Sequence, residues 1–324
     1  MNQFKRALKM NKIRLLKKIF CFEEIYTIAY RNRNGKTLLD SDLLDFNRIP
    51  YSDTFWYADP ILVSYQGAEY LFMESFDMRT QLGSIALAKF DEAGKLSEPQ
   101  VIIQEAYHMS FPMVFSWNGD LYMIPETCGN HSLNLYRCEG DIAKWPLVQS
   151  FPVGKELVDT VVTAVGEDYV ELHCSALHET DKFKNKWQKF RIVKDGEDYR
   201  LEADAAFNSG NDYNNGYRMA GSLITERGMT ILPTQESTDI DYGAYLYLND
   251  FSGRDVTNMP VLKKVTVENI KLPDVDQKEQ IGVHSYALSE KLEVVDMRYF
   301  YFSPKNRMRK ISVRIKSKMS VTRK

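Results

Sequence analysis

Three stretches of this chain keep one register: "DPILVSYQGAEYLFME" at 59–74, "FPMVFSWNGDLYMIPE" at 111–126 and "AGSLITERGMTILPTQ" at 220–235. Pro60, Pro112 and Gly221 are each followed seven positions later by Gly67, Gly119 and Gly228, and fourteen positions on by Glu74, Glu126 and Gln235. A looser copy, "VDTVVTAVGEDYVELHC", starts at Val158, loses a residue before its turn and has Gly166 there. A fifth, "VHSYALSEKLEVVDMRYFYF", starts at Val283 and lacks the glycine. Apolar alternation on both sides of a Gly-containing turn reads as strand, turn, strand in each copy.

Further β-like segments follow the copies, at 83–90, 131–138, 186–194 and 243–251, and would supply third and fourth strands. Long helical periodicity is missing between the two ends of the chain. A four-stranded unit recurring at this spacing is the mark of a propeller blade, because no single blade can cover its own apolar faces. The sequence therefore predicts an all-β, five-bladed propeller over 26–304, with blades starting near 59, 111, 158, 220 and 283. A large sandwich is the competing all-β arrangement, and it does not explain a fixed seven-plus-seven register.

The 324 residues suit a large core, and the composition (44% hydrophobic, 12% aromatic, 27% charged) is that of a soluble globular protein. Charge is unevenly placed. Residues 1–20 hold seven Lys/Arg and no acid, and 305–324 hold nine and no acid. That leaves 26 bases against 44 acids between them, a net of −18. The two extensions, 1–25 and 305–324, are expected to be helical or disordered. Basic ends suit a polyanion, and an acidic body argues against nucleic acid, so an anionic membrane surface is the expected partner. In the N-terminal extension Leu8, Leu15, Leu16, Ile19 and Phe20 alternate with bases, as in an interfacial helix. Solvated, frayed ends are the alternative.

No uninterrupted apolar segment follows the first bases as in a signal peptide, and no apolar run reaches the ~20 residues that span a bilayer. The expected location is the cytoplasm, peripheral to the inner leaflet. Cys21, Cys128, Cys138 and Cys174 form no C-x-x-C pair, and free buried thiols are expected.

The segments "YADPILV…YLFMESFD", "HMSFPMVFSWNGDLYMIPET", "ELVDTVV", "YRMAGSLI", "ILPTQESTDIDYGAYLYLND" and "GVHSY" resemble a family of five-bladed propellers. Its plant members form the N-terminal region of the glucosamine inositolphosphorylceramide transferases, and its bacterial members occur in surface-glycan synthesis. The resemblance runs from about residue 26 to about 298 and implies the same fold and a role with glycans. In outline the chain is also similar to the five-bladed furanosidase and levansucrase-type enzymes, which use an acidic triad. The basic ends lie outside both resemblances.

Equivalent positions of different blades meet at one mouth of a propeller's channel. The repeat therefore brings Asp59, Asp159, Arg218 and His284, at first-strand starts, next to Glu74, Glu126 and Gln235, at second-strand ends. Sugar transfer or cleavage needs one carboxylate to attack or stabilise the sugar carbon and another to protonate the leaving oxygen. Asp59 is the candidate nucleophile or base, Glu126 the acid and Asp159 an orienting carboxylate; clustered acids raise one another's proton affinity. Arg218 and His284 suit phosphate, carboxylate or hydroxyl groups, while Trp56, Tyr57, Tyr107, His108 and Tyr242 offer stacking surface. Each acid also has a structural reading, since Asp at strand starts and Pro-Glu at turns accept backbone N–H groups. No metal site is assigned: "DSD" at 40–42 and "DID" at 239–241 have the shape of a nucleotide-sugar metal site, but acids are abundant. A nucleotide-sugar donor and a divalent ion stay open. The expected function is glycosyl transfer or sugar modification in surface polysaccharide or glycolipid synthesis. The alternatives are a glycoside hydrolase and a non-catalytic glycan-binding propeller serving partner glycan-assembly enzymes.

Overall fold

The computed structural model describes residues 16–17, 19–181, 183–214, 216–237 and 242–321. Residues 1–15, which carry most of the N-terminal basic extension, and the D-I-D at 239–241 lie outside the described residues.

Strand β1 (Phe22–Asn32) leads to the short β2 (Leu44–Asp45) and β3 (Asn47–Arg48). Blade I is β4 (Phe55–Tyr65), β5 (Ala68–Asp77), β6 (Leu82–Lys89) and β7 (Gln100–Ile103). Blade II is β8 (Ser110–Trp117), β9 (Asp120–Glu126), β10 (Ser132–Arg137) and β11 (Leu147–Pro152). Blade III is β12 (Leu157–Val165), β13 (Tyr169–Leu177), β14 (Asn185–Asp195) and β15 (Asp198–Ala203), followed by helix α1 (Ala205–Gly210). Blade IV is β16 (Tyr217–Met219), β17 (Ile224–Glu226), β18 (Met229–Glu236), β19 (Tyr245–Asp250) and β20 (Val261–Val265). After β21 (Ile270–Lys271), blade V opens with β22 (Gln280–Leu288) and β23 (Leu292–Phe302), and helix α2 (Pro304–Val321) ends the chain's described part.

The five-bladed propeller read from the repeat is the observed fold. Each of blades I to III is an antiparallel sheet in chain order, and blade V is completed by the N-terminus in the order β22-β23-β1-β3. That closure joins Phe22–Asn32 to Leu292–Phe302 over eleven residue pairs, so the ring is sealed by a full ladder rather than by side chains alone. Both faces of every blade meet a neighbour, which explains buried runs such as Leu71-Phe72-Met73 where a half-solvated strand would alternate. The buried apolar side chains sort into one main cluster per blade interface: Leu71 with Ile28 and Val294, Phe72 with Val114, Phe115 with Val162, Trp187 with Leu232, and Ile231 with Tyr286. The cysteines are unpaired; Cys174 is buried, whereas Cys21, Cys128 and Cys138 are half-buried, less enclosed than expected.

One irregularity recurs at the place that matters. Between Ala58 and Ile61, Ser110 and Met113, Val158 and Val161, and Val283 and Tyr286, two inner-strand residues oppose a single partner residue. These are β-bulges, which bend a strand and re-aim its side chains. In blade IV the inner strand breaks altogether between Met219 and Ile224. The first bulge residue is left-handed in three blades, Asp59 (φ +53°), Phe111 (φ +42°) and Asp159 (φ +54°), and at the blade IV break Gly221 has φ +148°. Asp tolerates that region; a Phe there is an outlier held by its surroundings.

Candidate functional site

The bulges place the polar residues of five blades in one closed ring of contacts. In blade V, the Asp296 carboxylate accepts the backbone N–H groups of His284 (3.1 Å) and Ser285 (2.6 Å), together with His284 Nδ1 (2.8 Å). Its Oδ2 also accepts the Asp59 N–H of blade I (3.0 Å). Asp59 in turn accepts the Phe111 N–H of blade II at Oδ2 (3.2 Å), and Ser285 Oγ (3.2 Å) and His284 Nδ1 (3.2 Å) at Oδ1. From blade II, Glu126 Oε2 accepts the Asp159 N–H of blade III (3.1 Å). Asp159 Oδ2 lies 3.5 Å from Arg218 Nη1 of blade IV. The Arg218 guanidinium sits 5.2 Å from the Tyr242 ring centre, and Tyr242 Oη meets His284 Nε2 at 2.9 Å, which returns the ring to blade V.

Asp59, Asp159, Arg218 and His284 are brought together, and Glu126 and Tyr242 join them; Asp59 and His284 lie four residues inside β4 and β22, at the bulges, rather than at the strand starts expected from the repeat. Glu74 is buried beside them: its Oε1 is 3.4 Å from His108 Nε2, while His108 Nδ1 accepts the Gly83 N–H. Gln235 is fully buried, with Nε2 turned back to the Met219 carbonyl (3.4 Å). Tyr57 is not in the ring; it packs against the apolar cluster between blades V and I. Tyr107 likewise packs between blades I and II, its hydroxyl accepting from Asn134. The aromatic wall is made instead by Trp56, stacked on Phe76 (4.3 Å, 11°), with Tyr26 5.0 Å from Trp56 and 5.5 Å from His284. Phe111, standing where blades I and III carry Asp, packs with Val161, Met219 and Leu232 of blades III and IV. The D-S-D at 40–42 is engaged elsewhere: Asp40 pairs with Arg227 and Asp42 with Lys263.

Asp296, Ser285 and Tyr26 escape a search by repeat position. Asp296 opposes a bulge, where blades I to III carry Met73, Pro125 and Cys174. The available signal was an acid inside the apolar run "EVVDMRYFYF", since an ionisable group in a buried strand is kept only when it is paired.

Burial, then the neighbouring Asp159 and Asp59 charges, push Glu126 up to about 8. Burial also raises Asp159 to about 6, against the pull of Arg218. Glu74 is held well above the carboxylate range by burial and then by Asp59 and Glu126. Burial alone would depress His284, but Tyr242, Asp296 and Asp59 override it and hold the imidazole well above its usual value. Asp59, His284 and Asp296 bring ligand-type atoms within 4.8 Å of one another. His284 Nδ1 already bridges both carboxylates and Nε2 meets Tyr242, so these residues form an imidazolium held between two acids. A cation would have to displace that proton.

Comparison with known proteins agrees with the reading from sequence. Residues 44–196 match the family model described as glucosamine inositolphosphorylceramide transferase 1, N-terminal. Over those residues the chain is similar to that N-terminal region. It is 39% identical over 106 residues to glucosamine inositolphosphorylceramide transferase 1 of Arabidopsis thaliana, and 31% identical over 104 residues to the protein of that name from Oryza sativa subsp. indica. Each match covers 32% of this chain and only 14% of the relative's own length. Among solved structures, the catalytic domain of the Coprinopsis cinerea GH62 α-L-arabinofuranosidase aligns with a TM-score of 0.48 at 11% identity, over 84% of this chain and 97% of that one. The β-1,2-mannobiose phosphorylase of Listeria innocua aligns with a TM-score of 0.47 at 11% identity, over 84% and 96%.

Proposed function

We propose that the mouth of this propeller binds and acts on a sugar during surface polysaccharide or glycolipid synthesis, by glycosyl transfer or a related sugar modification. One observation carries the reading. Glu74 Oε1, Asp159 Oδ2 and Gln235 Oε1 are buried oxygens of the ring that accept no hydrogen bond of good geometry, their neighbours being only the long contacts of Glu74 to His108 Nε2 (3.4 Å) and of Asp159 to Arg218 Nη1 (3.5 Å). A buried acceptor left unpaired costs about 1–3 kcal/mol, and a ligand rich in hydroxyl donors would satisfy all three. Trp56 and Phe76 offer an apolar face to the sugar ring beside them.

In this reading Glu126, half-buried and still protonated near neutral pH, gives its proton to the departing oxygen as the sugar C–O bond breaks. Asp59 receives the proton of the incoming hydroxyl or attacks the sugar carbon itself, and Asp159, braced by Arg218, orients the sugar. The similarity to glucosamine inositolphosphorylceramide transferases supports a role in glycolipid assembly. The hydrogen bonds that Asp59 and Glu126 make to Phe111 and Asp159 N–H groups favour one second reading, a glycan-binding propeller in which the acids fasten blades and a partner enzyme does the chemistry.

The test uses Glu126→Gln, Asp59→Asn and Asp159→Asn, each checked for a native unfolding transition. Catalysis predicts that surface-glycan production falls by about 100-fold or more with Glu126→Gln, the usual weight of a general acid. If all three variants fold and glycan production is unchanged, the enzyme reading is lost. Release of the phenol from aryl glycosides by the wild type alone would turn the assignment to hydrolysis.

A further inference from the structure

Helix α2 lies on the propeller with the wrong face outward for an ordinary amphipathic helix. Its inward contacts are polar: buried Asn306 donates to Tyr51 Oη (3.2 Å), Arg309 to the Asp53 carbonyl (2.6 Å), and Lys310 pairs with Glu23 (2.6 Å). Outward it presents Met308 at 67% exposure and Ile311 at 47%, beside the exposed Lys305 and Ser312. The N-terminal segment beside it repeats the pattern with Leu16 (51%), Ile19 (63%) and Phe20 (63%), and Phe302 (57%) joins them at the end of β23. The two segments are tied together, since Ser303 N–H donates to the Cys21 carbonyl and the Phe22 and Phe302 rings lie 5.4 Å apart. Six of the thirteen large apolar side chains exposed among the described residues thus belong to these two short segments. An apolar surface this concentrated marks an interaction site.

We infer that the two terminal segments form one docking surface for an anionic lipid bilayer, on the same end of the propeller as the acidic mouth. Charge decides the occupant. The segment 305–324 carries nine Lys/Arg and no acid, and 1–20 seven and no acid, on a chain whose remainder is net negative; five of these bases, Lys17, Lys305, Arg307, Arg309 and Lys310, also tie the segments to the propeller. Apolar side chains entering the headgroup boundary while bases meet anionic lipid is the binding mode of interfacial helices. Topology decides the orientation. The helix is held by Tyr51 and Asp53 just ahead of β4, by Met78 just after β5, and by Glu23 at the start of β1. Those are the ends of blades I and V from which the inner strands run to the bulges at Asp59 and His284. Asp59 is four residues into β4, roughly 13 Å from that rim at about 3.3 Å per residue. A bilayer on this surface faces the mouth. This inference stands without the proposed chemistry.

Co-sedimentation of the full chain with vesicles tests it. Vesicles of equimolar phosphatidylcholine and phosphatidylglycerol should pellet the protein, phosphatidylcholine alone should not, and high salt should release it. Met308→Asp with Ile311→Asp, both exposed, should lower binding about tenfold or more while unfolding is unchanged. Val261→Asp with Leu262→Asp, an exposed apolar pair on blade IV, should bind as the wild type does. The inference is overturned if the Met308/Ile311 variant pellets like the wild type, or if wild-type protein ignores anionic vesicles or binds neutral ones equally. It is equally overturned if the wild type ignores vesicles but forms a dimer that the variant abolishes, which would make the surface a protein interface.

Discussion

Asp296→Ala should be among the most damaging single substitutions in this chain, although nothing about its repeat position marks it. The carboxylate has no exposed surface and accepts three backbone N–H groups and the His284 imidazole. Alanine leaves three buried donors without an acceptor, at about 1–3 kcal/mol each. Water entering the small space offsets part of this, so the lower figure is used for each, about 3 kcal/mol in sum. That agrees with the about 3–5 kcal/mol lost when one partner of a buried ion pair is removed. Against a total stability of about 5–15 kcal/mol, the folded fraction changes measurably. Equilibrium urea unfolding is the assay. With a slope of about 3 kcal/mol/M, the midpoint should drop by about 1 M with the slope unchanged. Asp296→Asn keeps one acceptor oxygen but sets an amide N–H₂ against other donors, and should fall between alanine and the wild type. A loss below about 1 kcal/mol for Asp296→Ala would refute the claim that this residue fastens blade V to blade I.

Two further outcomes follow from the same geometry. Glu126, held up to about 8 when folded against 4.5 when free, contributes stability that is complete below about pH 4.5 and is lost as pH rises through about 8; each pKa unit corresponds to about 1.4 kcal/mol, less in a partly exposed mouth. Glu126→Gln should therefore gain on the wild type in urea midpoint as pH rises from about 5 to about 8, and a constant difference would contradict the assigned protonation. Gly221→Ala should destabilise by about 2–4 kcal/mol, since the backbone has φ +148° and the added Cβ would stand 2.1 Å from the Tyr286 carbonyl oxygen; an unchanged midpoint would mean that blades IV and V can part there without penalty.

The propeller was legible because burial between blades forces the same solution five times, so glycines and apolar runs recur at fixed offsets. Asp59, Glu126 and Asp159 were legible for the same reason: a repeat turns sequence position into angular position. What escaped was everything the repeat does not carry. Blade V closes with β1, taken from the other end of the chain, because ring closure depends on a ladder between termini that no local pattern announces. Asp296 occupies a position that is Met, Pro or Cys in blades I to III, and its role arises from the bulge across from it. Tyr57 misled because alternation predicts which face a side chain takes, but both faces of a blade are covered and only the innermost end reaches the mouth. The bulge itself, which aims Asp59 and Asp159 inward, has no signal beyond a residue tolerant of positive φ, and Phe111 does not meet even that description.

Charge balance then explains why such a mouth should contain a proton donor at all. Five carboxylates, Asp59, Glu74, Glu126, Asp159 and Asp296, converge on two cations, Arg218 and His284. Fully ionised, the group would bury a net charge of −3, which the low-dielectric interior resists by several kcal/mol per uncompensated charge. Taking up protons is the cheaper response, and it falls on the acids farthest from the cations' hydrogen bonds. Glu74 and Glu126 are those acids: Asp159 has Arg218, and Asp59 and Asp296 share His284. Protonating both removes two of the buried negative charges and leaves Glu126, at the half-buried edge, able to give its proton away. The closing of a five-bladed ring around a narrow axis is thus enough to generate a carboxylic acid that is neutral near physiological pH. Converting Arg218 to Leu would remove one of the two cations, and the same reasoning requires Asp159 to take up a proton in response.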